Sequence, residues 1–172
     1  DWVIRDNIFR NIRAPHDGVN PDGIAGAVIL MWHGAGGTIV EGNRFIECDM
    51  GIQFGNPSGA ATDHTGGIIR NNFFYRSGDG DVAISLNRAS DALVLHNTIV
   101  QNQTFPWTIE YRFQAGNGNP SGTIHANLTD GPIVRRDGAD AALSANLTQA
   151  RPSWFVNAAG ADLHLAAGTA AD

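Results

Sequence analysis

One short pattern recurs six times: an apolar residue, two variable residues, an asparagine, one variable residue and usually a second apolar residue. The first three copies are Ile4-Arg5-Asp6-Asn7-Ile8-Phe9, Val40-Glu41-Gly42-Asn43-Arg44-Phe45 and Ile69-Arg70-Asn71-Asn72-Phe73-Phe74. They are followed by Val94-Leu95-His96-Asn97-Thr98-Ile99, Ile124-His125-Ala126-Asn127-Leu128-Thr129 and Leu143-Ser144-Ala145-Asn146-Leu147-Thr148. The last two end in Thr, so the closing apolar position is degraded there. Successive asparagines stand 36, 29, 25, 30 and 19 residues apart. Such variable spacing excludes helical repeats of fixed period and fits a solenoid whose coils carry loops of different length.

Each of the first five asparagines is followed by a second run rich in β-branched or aromatic residues: 27–32, 51–54, 82–86, 108–113 and 132–135. Several of these runs alternate apolar and polar residues, the period of a strand with one buried face. Registering them on Ile29, Ile52, Ile84, Ile109 and Ile133 predicts an aliphatic column inside the solenoid. Phe9, Phe45, Phe74 and Ile99 form a second column just past the Asn corner. Asparagine suits a corner because it tolerates left-handed φ and bonds to local backbone. Stacked asparagines also bond to one another.

The repeated corner, followed by strands of the Gly-Ile type, resembles the right-handed parallel β-helix repeat family of pectate-lyase-like proteins, in an uncharacterised bacterial branch. The resemblance covers about residues 1–150. Residues 151–172 are similar to the closing segment of bacterial members, with Asp162-Leu163-His164-Leu165 followed by the small-residue turn 166–170. The resemblance implies an all-β, right-handed parallel β-helix solenoid of about six coils, with Trp154–Leu165 capping the far end. It does not by itself define a reaction, since the fold hosts lyases, hydrolases, epimerases and plain structural surfaces. The first strand begins at the outset of the sequence. Its edge is therefore expected to meet another chain end to end, or upstream coils.

Composition narrows the classes. A chain of 172 residues with 42% apolar and 16% charged residues is one globular domain's worth. The acids are 14 Asp and 3 Glu, and all 11 basic residues are Arg. The strong helix formers Lys and Glu are thus scarce. A net charge of -6 argues against a nucleic-acid partner. The longest apolar run, 23–32, is too short to span a bilayer. Cys48 is the single cysteine, so no intrachain disulfide forms, and its apolar neighbours predict a buried thiol.

The register places Trp32, His33, Gln53, Asn87, Arg88, Glu110, Arg112 and Arg136 on one outward face. Trp stacks on sugar rings and Arg pairs bidentately with carboxylates, so the face suits an acidic polysaccharide. Trp32, Gln53, Asn87 and Arg136 are the expected binding residues. Glu110, Arg88, Arg112 and His33 are the candidates for acid, base or carboxylate-neutralising roles in a lyase-like enzyme. An Arg112–Glu110 or Arg88–Glu110 surface ion pair is the bland alternative. Two further readings are a non-catalytic carbohydrate-binding or adhesion module and structural coils of a larger β-helix protein. The expected setting is secreted or cell envelope, with no cofactor required. A Ca²⁺ site would draw on Asp79-Gly80-Asp81, or on Asp17 with Asp22. The adjacent loop pairs His16-Asp17 and Asp63-His64 are expected to be solvated.

Overall fold

The computed structural model describes residues 1–14, 26–56, 62–112 and 122–169. It is all-β, with parallel sheets stacked rung on rung. The first sheet takes the strand before each corner: Val3–Arg5, Ile39–Glu41, Ile68–Arg70, Ala92–Leu95, Gly122–His125 and Ala142–Ser144. The second takes the strand after it: Ile8–Arg10, Arg44–Ile46, Phe73–Tyr75, Thr98–Val100 and Leu128–Thr129. The third holds Ile29–Met31, Ile52–Phe54, Ile84–Asn87, Ile109–Arg112 and Ile133–Arg136. A small fourth sheet, absent from the sequence-based expectation, is built from Ala35–Gly36, His64–Thr65 and Ala89–Ser90. The chain visits the sheets in turn and returns to the first one strand further along, the path of a solenoid.

The predicted columns form in register. Ile29, Ile52, Ile84, Ile109 and Ile133 pair in sequence across the third sheet. The first four are buried and Ile133 is partly buried at the edge. Phe9, Phe45, Phe74 and Ile99 pair across the second. The Phe9–Phe45 and Phe45–Phe74 rings stack at 5.0 and 4.6 Å. Side chains of successive strand residues point to opposite faces, so one residue per pair enters the core.

At the corners, each asparagine side chain spans two rungs. The backbone N–H and Nδ2 of Asn7 both donate to Oδ1 of Asn43, and Asn43 donates in the same way to Asn72. The column continues through Asn97 and Asn127 to Asn146, with every bond between 2.9 and 3.1 Å. Each Nδ2 from Asn43 onward also reaches a carbonyl of the preceding rung, those of Ile4, Val40, Ile69, Val94 and Ile124. One detail differs from expectation. The residue in the left-handed region is the one before each asparagine: Asp6, Gly42, Asn71, His96, Ala126 and Ala145, with φ from 53° to 65°. The αL residue makes the bend and the asparagine fastens it.

The closing segment does not sit on the end of the stack. Phe155–Asn157 and Asp162–Leu165 form an antiparallel pair. Phe155, Ala158 and Leu163 pack on Val100, with Phe73, Tyr75 and Leu128 around them, all from the second sheet. Nη2 of Arg44 donates to the carbonyls of Gly160 and Ala161. The segment thus runs back along the outer face of the second sheet. The physical reason is that this face is itself apolar and needs a cover.

Candidate functional site

The outward column of the third sheet is Leu30, Gln53, Ser85, Glu110 and Val134, with Asn87, Arg112 and Arg136 two residues further along their strands. The sheet register therefore brings Gln53, Asn87, Glu110, Arg112 and Arg136 onto one face. Trp32 and His33 follow the first strand of this sheet and Arg88 follows the third. Gly55 ends the second rung because a Cβ there would collide with the Asn87 carbonyl.

Burial divides this face. Trp32 is 47% exposed and its ring lies edge-on to His33 at 6.0 Å. The His33 N–H donates to Oδ1 of Asp63, which fixes the turn. Gln53 is half-buried, its amide donating to the Gly55 carbonyl. Mid-sheet, Ser85, Asn87 and Glu110 are all buried.

Glu110 is enclosed by its own protein. Oε1 accepts from Ser85 Oγ at 2.8 Å. Oε2 accepts from Arg136 Nη1 at 2.8 Å and from Trp107 Nε1 at 3.2 Å. The Arg136 guanidinium also lies over the Trp107 ring, 5.2 Å from its centroid. These three donors engage both oxygens of a carboxylate that is buried from solvent. The expected ion pairs are replaced: Glu110 pairs with Arg136, and Arg112 pairs with Asp137 at 2.8 Å. The reason lies in the register. Arg136 and Arg112 are neighbours across the ladder, so the two guanidinia divide between two carboxylates instead of sharing one.

Trp107 and Arg136 close the site, and the contribution of Trp107 was not legible from the sheet period. It sits in the loop before the strand, three residues ahead of Glu110. The only sequence signal was a large donor-bearing aromatic next to a lone glutamate. Phe105 packs edge-on to Trp107 at 4.9 Å and carries the loop onward to a cavity of 560 Å³. Gln103, Phe105, Asp130, Pro132, Gln149 and Arg151 line it. There Oδ2 of Asp130 accepts from the N–H groups of Gln101 and Asn102, and burial pushes its pKa up.

The turn considered for calcium is occupied by guanidinium chemistry. Arg13 Nη1 donates to the Asp79 carbonyl, and the Asp81 carboxylate accepts from the Val82 N–H. Buried Arg76 and Gln101 both donate to the Asp81 carbonyl. Burial lowers the Arg76 pKa to about 10. Among the described residues, no group of three or more His, Cys, Asp or Glu is placed to hold a metal. His16, Asp17 and Asp22 lie outside the described residues, as does most of 14–24 and 115–122.

The second loop pair departs from expectation. His64 is fully buried in the fourth sheet, its ring stacked on Phe54 at 4.1 Å, and Asp63 is buried beside it. Desolvation holds His64 down at about 4. Cys48 is buried as expected, its Sγ near the carbonyls of Phe9 and Ile46, and burial pushes its thiol pKa up. No helix among the described residues is long and apolar enough to cross a membrane. Comparisons with protein-family models, with curated proteins and with solved structures return no match.

Proposed function

We propose that this chain is a right-handed parallel β-helix that binds a polysaccharide along its third-sheet face without cleaving it, in a secreted or cell-envelope setting. The observation that carries this reading is the closure of Glu110. It is the acid on the central rungs of that face, it is buried, and Ser85, Trp107 and Arg136 engage both of its oxygens. General acid–base work needs a carboxyl within reach of the substrate, and a hydrolase needs two. What the face offers is an exposed indole, Trp32, two residues beyond Leu30, which pairs with Gln53 across the sheet. Flat aromatic and amide groups of this kind suit a sugar ring. Arg112 and Arg136 already carry Asp137 and Glu110, so they favour a uronate only at the rim, by sharing.

The test is binding to neutral and uronate polysaccharides by affinity electrophoresis, alongside absorbance from unsaturated sugar ends. Retarded migration that Trp32→Ala abolishes, with no absorbing product, is the expected result. An absorbing product overturns the non-catalytic reading. Absence of retardation on every polymer overturns the carbohydrate reading. It leaves the structural one.

A further inference from the structure

We propose that Arg76 and Gln101 hold one resident water molecule inside the corner between the second and third sheets. This inference is independent of the carbohydrate face.

At this corner, Glu47, Arg76, Gln101 and Asp130 follow successive strands of the second sheet. No residue type repeats among these four, so the rungs are not fastened here by one amide passed along the stack. Arg76 and Gln101 are only 3% and 2% exposed. Their side chains meet at one atom. Nη1 of Arg76 and Nε2 of Gln101 both donate to the Asp81 carbonyl, at 2.6 and 2.9 Å. Arg76 Nη1 also donates to the Asp49 carbonyl, and Nε donates to the Thr104 hydroxyl. The amide of Gln101 is oriented by its bond. A carbonyl can only accept, so Nε2 faces Asp81 and Oε1 is the free end. One polar atom is thus left over on each side chain. Arg76 Nη2 and Gln101 Oε1 are both buried, and neither has a hydrogen-bond partner among the described residues.

The shared carbonyl keeps this free donor and this free acceptor close together. Both residues line a cavity of 10 Å³, with buried Phe45, Phe74 and Ala83 among its walls. That is room for one water and for nothing larger. The chemistry selects water over an ion. A cation is repelled by the guanidinium, and a simple anion has no hydrogen to give the amide oxygen. Water accepts from Nη2 and donates to Oε1. Left unpaired in the interior, a guanidinium N–H and an amide oxygen each cost free energy, so binding the water is favourable. The same two residues hold the turn that follows. Asn102 Nδ2 donates to the Arg76 carbonyl, and the Thr104 N–H donates to the Gln101 carbonyl. From this turn the chain runs on to Trp107, which reaches Glu110. The water therefore completes the anchor of the loop that brings Trp107 to the third-sheet face.

The test is a high-resolution crystal structure of the whole chain. Density for one oxygen within hydrogen-bond distance of both Arg76 Nη2 and Gln101 Oε1 is the expected result. A cavity without density, or a direct bond between Nη2 and Oε1, overturns the proposal. In solution, the Ala83 methyl group is expected to show a nuclear Overhauser cross-peak to water, opposite in sign to its rotating-frame counterpart, as a long-resident water gives. Equal signs, or no cross-peak, overturn the proposal as well. Gln101→Leu removes the acceptor and is expected to abolish that cross-peak in a chain of unchanged far-ultraviolet circular dichroism. A cross-peak that survives the substitution contradicts the role of Gln101. The crystal result is read on the wild type and does not depend on the folding of the variant.

Discussion

The asparagine corner and the outer face of the third sheet lie on the same rungs and obey opposite rules. At the corner, one residue type recurs from Asn7 to Asn146, and each adjacent pair makes the same amide–amide bond. On the face, the column Leu30, Gln53, Ser85, Glu110, Val134 changes chemistry at every step. The difference follows from what each position must do. A corner residue has to accept from one neighbour and donate to the other and to a backbone carbonyl, which needs an amide. A face residue has its backbone satisfied by the ladder, so its side chain is free to differ. The corner is thus a structural constraint written in sequence, and the face is where specificity is written.

The largest effect that separates the two regions is loss of a corner amide. Asn97→Ala strips acceptors from the N–H and Nδ2 of Asn72 in a buried site and is expected to cost about 3–5 kcal/mol in urea unfolding. Asn146→Ala, at the half-buried end of the column, is expected to cost about 1–2 kcal/mol. Equal costs would mean that the column is not cooperative with the core.

Acid comes next. His64 is held neutral in the fold at about 4, against 6.5 when exposed. The unfolded chain therefore binds the extra proton first. The stability that His64 contributes is complete above pH 6.5, falls as pH drops towards 4, and amounts to about 3 kcal/mol. Asp81 and Asp130, raised by burial, act in the opposite sense: the stability each contributes is present at low pH and is lost as pH rises through its raised pKa. Replacing His64 with Phe should flatten the stability profile between those limits. A slope that survives the replacement would assign it to another group.

On the face, Glu110→Ala frees Arg136 and the Trp107 N–H. Arg136 is about one-third exposed and rehydrates, so the expected cost is only about 1–2 kcal/mol. A cost as large as that of Asn97→Ala would place Glu110 in the frame and not on the functional surface. The smallest effect has the opposite sign. Ala126 holds φ at 53°, so Ala126→Gly should raise stability by about 0.5 kcal/mol, read as an increase in Tm.

These regions were unequally legible for the same physical reason. The corner repeats, so six copies revealed both columns and their register. The αL residue was missed because Asp, Gly, Asn, His and Ala all fill it, leaving no signature beyond its place before the asparagine. The third-sheet register placed Glu110 and Arg136 side by side on the face. Their pairing was missed because the lid, Trp107, comes from a loop outside the period. The burial of His64 was equally hidden, since the fourth sheet is built from two-residue strands too short to show alternation. Loop contributions to a site are set by tertiary packing, and a strand pattern carries none of that information.

Amide hydrogen exchange at Asn43, Asn72 and Asn97 probes the stacked corner most directly, because each of these N–H groups bonds to the side chain of the next rung. Protection equal to that of the core strands, lost together with them on global unfolding, is the predicted result. Exchange at the rate of a solvent-exposed turn would contradict the column, and with it the face whose register it sets.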